Sequence, residues 1–298
     1  MKNLVVTAWT GMTIRNLFFG STFNELADHF NLTVLSHYGE KLKRQFPAQD
    51  SRVIFDRIRI PRWQLPRQQG NLNDLLWNWN YHGMWFEHRL RSQAKVIHNE
   101  KVSHPYRYLS NQLGGRIANL IRGKSDYDVL RDVAYYLPKT QQFENQDAVL
   151  VTTTDLPKDR MLMYFCKKRG IPVVALVHSW DNLLSRGRLS AIPDRLLVWN
   201  QYMVEDAVHY HGVPIDKIDV IGGSQYQLYR EIGKKLGEDS LRKRLNISSS
   251  THVVTFTAEC IEGTPDEPIL VDALIKLVTE GTFGESVLII RLHPSDRV

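Results

Sequence analysis

His178 closes an uninterrupted apolar run, Pro172-Val173-Val174-Ala175-Leu176-Val177, and is followed by Ser179-Trp180-Asp181-Asn182. An imidazole takes up and releases a proton near neutral pH, and a carboxylate or amide a few residues on can fix its ring. That combination suits deprotonation of a hydroxyl nucleophile, with Asp181 or Asn182 as the orienting group. The same histidine also fits a buried strand end bonded to a backbone carbonyl. Gly222-Gly223-Ser224 offers a second chemistry: backbone N–H groups presented to a phosphate, or a tight turn that requires positive φ.

Other polar residues follow apolar runs in the same way. Leu4-Val5-Val6-Thr7-Ala8 leads into Thr10-Gly11, Ala148-Val149-Leu150-Val151-Thr152 into Thr154-Asp155, and Leu196-Leu197-Val198-Trp199 into Asn200. Toward the C-terminus, His252-Val253-Val254-Thr255-Phe256 leads into Glu259, and Ser286-Val287-Leu288-Ile289-Ile290 into Arg291 and His293. In open α/β sheets ligands bind at the carboxyl ends of the strands, so these loops form one crevice if the runs are parallel strands.

Three further patterns carry less. Gly123-Lys124-Ser125 ends like a phosphate-binding loop, but Ala118 stands where its earlier glycine belongs and the preceding segment reads as helix. Asp126-Tyr127-Asp128 follows no strand and suits a helix start. His209 and His211, two apart, do not share a helix face, so no metal site is expected. Trp77, Tyr81 and Trp85 form one helical stripe that serves a core, an acceptor platform or a membrane interface.

The elements that must position these residues are those of an α/β chain. Val/Leu runs without polar alternation, separated by helices and bounded by Gly and Pro, are what a parallel sheet buried on both faces requires. Helices are expected over 14–30, 158–168, 203–210 and 269–279. Helical spacing without strands from 72 to 97, 107 to 121 and 129 to 137 predicts an insertion over about 70–145. The chain divides into residues 1–235, one Rossmann-like domain, and 236–298, the start of a second. Two strands make that second domain incomplete, and the chain reads as truncated.

The 298 residues are 43% hydrophobic and 23% charged, which excludes a disordered or fibrous chain, and no apolar run is long enough to cross a bilayer. The first apolar stretch is too short for a signal sequence, so a cytoplasmic location is expected. Two cysteines, Cys166 and Cys260, support neither a disulfide framework nor a zinc site. The net charge of +6 is uneven: residues 38–124 hold sixteen Lys and Arg against six Asp and Glu. That stretch is expected to face an anionic membrane surface, an acidic glycan or nucleic acid.

The run from His178 to Gly187, with Pro193-Asp194-Arg195-Leu196-Leu197-Val198-Trp199-Asn200, His211-Gly212-Val213-Pro214 and Val220-Ile221-Gly222-Gly223, resembles bacterial surface-polysaccharide glycosyltransferases of GT-B fold. CDP-glycerol glycerophosphotransferases and UDP-N-acetylglucosamine 2-epimerases are related groups. The resemblance covers about 148–226, and Arg291-Leu292-His293-Pro294 resembles the second-domain histidine strand of those enzymes. It implies two Rossmann-like domains facing a cleft, a nucleotide-activated donor, an acceptor glycan or lipid-linked precursor, and no metal or other cofactor. Nucleic acid is then not an expected partner, whereas peripheral contact with an anionic membrane is. By position His178 and His293 match catalytic histidines, although Ser179 stands where the relatives have glycine. Glu259, Arg291, Gly222, Gly223 and Ser224 fall on the donor side, and Thr10, Gly11, Thr154, Asp155 and Asn182 on the acceptor side. The implied activity is transfer of a sugar or alditol phosphate to a cell-envelope glycan precursor. A nucleotide-sugar epimerase and a non-enzymatic module binding anionic lipid or glycan are the alternatives.

Overall fold

The apolar runs become strands, most of them separated by helices. In the computed structural model the described residues are 1–46, 52–56, 98, 101–122, 145–186, 189, 191–227, 229, 233, 239–259 and 266–293. They fall into two units, Met1–Tyr229 and Arg230–Val298.

The first unit opens with β1 (Lys2–Thr7), α1 (Gly11–Phe18), α2 (Thr22–His29), β2 (Phe30–Leu35), α3 (Gly39–Gln45) and β3 (Val53–Asp56). Where one helix is expected from 14 to 30, the chain makes two short ones. Gly20 and Ser21 break the run, and Phe30 already starts β2. After α4 (Pro105–Arg122) come β4 (Ala148–Val151), α5 (Pro157–Lys168), β5 (Val173–Leu176), α6 (Asn182–Ser185), β6 (Arg195–Val198), α7 (Gln201–His211) and β7 (Ile218–Val220). The stretches 72–97 and 129–137, with the Trp77/Tyr81/Trp85 stripe, Gly123-Lys124-Ser125 and Asp126-Tyr127-Asp128, lie outside the described residues.

The sheet order is β3-β2-β1-β4-β5-β6-β7, and every neighbouring pair is parallel. Such a sheet needs cover on both faces. One buried cluster gathers Val149, Val151, Leu162, Met163, Val173, Ala175, Leu196 and Val198, and a second gathers Leu4, Val6, Leu17, Phe18, Leu32 and Val34. This is a doubly wound, Rossmann-like sheet.

The second unit has α8 (Asp239–Leu245), β8 (His252–Thr257), α9 (Glu267–Thr279) and β9 (Ser286–Arg291). Its two strands pair in parallel across α9. From Leu241 onward none of its described residues is buried, and Ile269, Leu270 and Ile275 are exposed on α9.

Candidate functional site

The strand order reverses between β1 and β4, the point at which doubly wound sheets open a crevice. Thr7 and Thr152 form the last rung there. The Thr152 amide donates to Thr7 Oγ1 at 2.9 Å and its hydroxyl donates to the Thr7 carbonyl at 2.7 Å. Beyond that rung the Ala8 amide turns to the Leu35 carbonyl on β2, 2.9 Å away. Thr10 then caps α1. Its hydroxyl accepts from the Thr13 amide at 3.1 Å, and its own amide donates to Thr13 Oγ1 at 3.1 Å. Of the residues expected at this edge, Thr10 is therefore engaged in a helix cap, and Gly11 opens the helix with space around its Cα.

One strand along, β4 and β5 bring together Asp155, His178 and Asn182. Asn182 begins α6, and Arg186 follows one turn later on the same face. The Asn182 amide nitrogen lies 2.9 Å from His178 Nδ1 and donates to Asp155 Oδ1 at 3.1 Å. His178 Nδ1 is 3.6 Å from the same Asp155 oxygen, and Arg186 Nε is 3.7 Å from Asp155 Oδ2. With one Asn182 N–H on each neighbour, Nδ1 is an acceptor and the ring proton resides on Nε2. Burial lowers the His178 pKa; the Asp155 carboxylate pulls it back up, Arg186 lowers it and Asp181 raises it slightly. The ring is thus favoured as neutral at physiological pH.

Asp181 takes another role than the expected partner of the ring. Its carboxylate accepts from Ser179 Oγ at 2.6 Å and Ser185 Oγ at 2.8 Å. Burial disfavours its charge, but the two hydroxyls, its own backbone N–H and the nearby Arg186 charge together outweigh this and hold the carboxyl below its usual range. Asp155, counted from the sequence only among acceptor-side residues, is the carboxylate beside the imidazole. Nothing local could show this, because Asp155 and His178 meet only through the pairing of β4 with β5.

A second polar cluster joins the loops after β1, β2 and β4. Asp159 is fully buried, in the first turn of α5. Its Oδ1 accepts from the Trp9 indole at 2.7 Å, and its Oδ2 accepts from the Thr153 amide at 3.1 Å and the Thr153 hydroxyl at 2.5 Å. Burial pushes its pKa up to about 6 despite these donors. Beside it, the Lys158 ammonium contacts His37 Nε2 and lies 5.2 Å from the Trp9 ring centre. Burial lowers the Lys158 pKa, against a smaller opposing effect of Asp159. Sequence reasoning missed this cluster; its one local signal is an acid in the first turn of a Pro-initiated helix.

Gly222 has a φ of 78° and so takes the turn geometry that favours glycine. A Cβ on Gly223 would lie 2.7 Å from the Tyr226 ring, and the Tyr226 amide donates to the Gly223 carbonyl at 3.0 Å. From this turn the chain crosses back toward β1: Arg15 Nη2 donates to Gln225 Oε1 at 3.3 Å, and Gln227 Nε2 donates to Ser21 Oγ at 2.6 Å. Ser224 Oγ and Trp199 Nε1 are buried beside the turn without a hydrogen-bond partner. Asn200 caps α7 by accepting from the Met203 amide at 3.1 Å.

Other residues of the resembling segments are structural. His211 is buried; its Nδ1 accepts from the Leu189 amide at 3.2 Å and its Nε2 donates to the Leu183 carbonyl at 2.7 Å. It thereby clamps the segment that carries Asn182. Asp194 binds the Val173 amide at 2.8 Å and Lys167 Nζ at 2.6 Å, at the end of β5 away from His178. Arg195 pairs with Asp219 and also donates to the Asp216 carbonyl at 2.7 Å.

In the second unit Glu259 follows β8, and Arg291 and His293 lie at the end of β9, so all three fall at one strand edge. The Glu259 amide donates to Glu267 Oε1 at 2.6 Å, and the Ala258 amide donates to the Arg291 carbonyl at 2.8 Å. Among the described residues no three His, Cys, Asp or Glu side chains come close enough to hold a metal ion.

The strand order and the polar residues at its carboxyl edge define a doubly wound α/β protein with a polar cluster beside the topological switch point. No family model matches the chain. No curated protein matches it. Among solved structures, UDP-N-acetylglucosamine 2-epimerase from Rickettsia bellii aligns with 99% of this chain at 13% identity and a TM-score of 0.48. This chain spans 62% of the length of that structure.

Proposed function

We propose that the protein transfers a sugar or alditol phosphate from a nucleotide-activated donor to a hydroxyl of a cell-envelope glycan precursor, with His178 as the base. The observation that carries this reading is the Asp155–His178–Asn182–Arg186 cluster beside the switch point. A hydroxyl is a poor nucleophile until its proton leaves as the new bond forms. In the transfer the acceptor oxygen bonds to the donor's carbon or phosphorus, the bond to the leaving nucleotide phosphate breaks, and His178 Nε2 takes the proton.

That step requires the Nε2 lone pair, so the ring proton must move to Nδ1. Asp155 Oδ1, 3.6 Å away, is placed to stabilise an Nδ1–H and the imidazolium formed after proton uptake. The Asn182 contact holds the opposite tautomer at rest, so acceptor binding has to shift Asn182. Gly222, Gly223 and Ser224 are assigned to the donor phosphates through their backbone N–H groups and the Ser224 hydroxyl. The unsatisfied Ser224 hydroxyl favours a polar ligand at that turn.

Labelled nucleotide-sugar and CDP-alditol donors, incubated with and without lipid-linked acceptor, test the reading. Label in the lipid-linked product supports it, whereas acceptor-independent conversion of the donor to its epimer replaces transfer by epimerisation. His178→Ala should lower turnover by roughly 10²–10⁴-fold with donor binding little changed, and near-normal turnover in a folded variant would make the histidine structural. Asp155→Asn removes the charge that raises the His178 pKa, so the acid limb of the pH profile should move to lower pH as turnover falls.

A further inference from the structure

Two polar side-chain atoms lie buried and unanswered where β6 and β7 end. Trp199 closes the apolar run of β6, and Ser224 closes the Gly222-Gly223-Ser224 turn that follows β7. The Trp199 indole nitrogen and the Ser224 hydroxyl are both shut off from solvent without a hydrogen-bond partner. Gly223 joins them, because a Cβ there would lie 3.3 Å from the Trp199 ring and Ser224 is the next residue. A buried polar group left unpaired costs stability, so two at one turn call for an occupant that pairs them.

The chemistry of the set selects that occupant. An indole N–H can only donate, and a hydroxyl donates as well as accepts. Arg15 brings a guanidinium to the residue after Ser224: its Nη2 donates to Gln225 Oε1 at 3.3 Å, and its Nε donates to Asn16 Oδ1 at 3.1 Å. Both acceptors are neutral amides, so neither offsets the charge. A nucleobase edge offers donors as well as acceptors and would leave such a set partly unmatched. A phosphate presents acceptor oxygens and carries the opposite charge. Tyr226 stands against the same turn: it is 54% exposed, lies edge-on to Trp199 with ring centres 5.9 Å apart, and a Cβ on Gly223 would fall 2.7 Å from its ring.

We propose that Trp199 and Arg15 join Ser224 in one oxyanion site, where a phosphate oxygen of the nucleotide donor accepts from the Trp199 indole and the Ser224 hydroxyl while Arg15 lies against its charge. A rotamer change of the exposed Tyr226 ring admits the phosphate without disturbing the sheet. The proposal rests on the assignment of this turn to the donor phosphates, and it adds the two residues that make the turn select phosphate over the rest of the donor.

Calorimetric titration of the whole protein with inorganic pyrophosphate, CDP, UDP, cytidine and uridine needs neither acceptor nor turnover. Pyrophosphate and at least one nucleotide should bind, and the nucleosides far more weakly. Ser224→Ala decides the matter: its affinity for pyrophosphate should fall roughly tenfold or more. Its melting temperature without ligand should stay at or above the parent's, because the substitution removes an unpaired buried hydroxyl. Trp199→Phe should weaken binding similarly, and the double variant should lose less than the two losses combined, since both donors serve one oxygen. Arg15→Gln should lower the affinity and flatten its dependence on salt. Parental affinity in Ser224→Ala would overturn the proposal, and a lowered melting temperature beside it would make the two atoms the seat of a structural water instead. Nucleosides that bind as well as the nucleotides would overturn it too. Phosphate-dependent binding without transfer to any acceptor would leave this site standing and remove the transferase; transfer by a protein whose Ser224→Ala variant binds normally would do the reverse.

Discussion

Asp159 shows at the scale of one residue how a buried carboxylate can organise a site and still weaken the fold as pH rises. Folded, it keeps its proton to about pH 6, whereas an ordinary aspartate releases it near 3.8. Between those values the folded state binds more protons than the unfolded one, so stability falls as pH rises through the window. The difference amounts to ~3 kcal/mol once the group is fully ionised. Asp159→Asn removes the titration. It also turns an amide N–H toward the Thr153 donors, so the variant should be less stable at pH 4. Denaturant midpoints across pH 4–7 should show the deficit shrinking as pH rises; a constant deficit would mean that Asp159 titrates normally. The spectator cysteine behaves consistently: burial pushes the Cys166 thiol up to about 12, which leaves it unreactive while folded.

Among the elements, the short helix α6 is the one on which the site depends, and it is too short to hold itself in place. His211 on α7 holds it from outside, donating to the Leu183 carbonyl and accepting from the Leu189 amide. His211→Phe fills similar space but leaves both backbone groups unsatisfied, at a cost of about 3 kcal/mol. Chemical denaturation should show that loss, and a loss below about 0.5 kcal/mol would remove the clamp from the account. In the sequence His211 belongs to one of the resembling segments and, two residues from His209, to no metal site. Its partners lie 22 and 28 residues away, so its role depended on where α7 packs.

For the molecule as a whole, burial is distributed unequally. Every residue of the two core clusters lies in Met1–Tyr229, and no described residue from Leu241 onward is buried. Described residues that bury so little offset little of the entropy of ordering their chain. A fragment of residues 1–229 should therefore melt cooperatively, whereas residues 230–298 alone should show no cooperative transition. Calorimetry on the two fragments decides this, and a sharp melt of the smaller one would refute the burial argument.

The sequence by itself determined the parallel strands and the polar residues at their carboxyl ends. Val173–Leu176 followed by His178, or Ile218–Val220 followed by Gly222, can be read from hydrophobic runs and turn residues, because both signals are local. The break at Gly20-Ser21 was also local, but it was outweighed by helix-compatible spacing on either side. Only the tertiary structure decided which polar residues meet. Strand order set Asp155 beside His178 and joined Trp9 to Asp159 across 150 residues of sequence, whereas Asp181 turned to Ser179 and Ser185 within its own turn. The reason is physical: a run of valines specifies a buried strand, but its neighbour is chosen by crossover connections and by packing on both faces of the sheet. A carboxylate's partner is then whichever ring or donor that packing brings within about 3–4 Å.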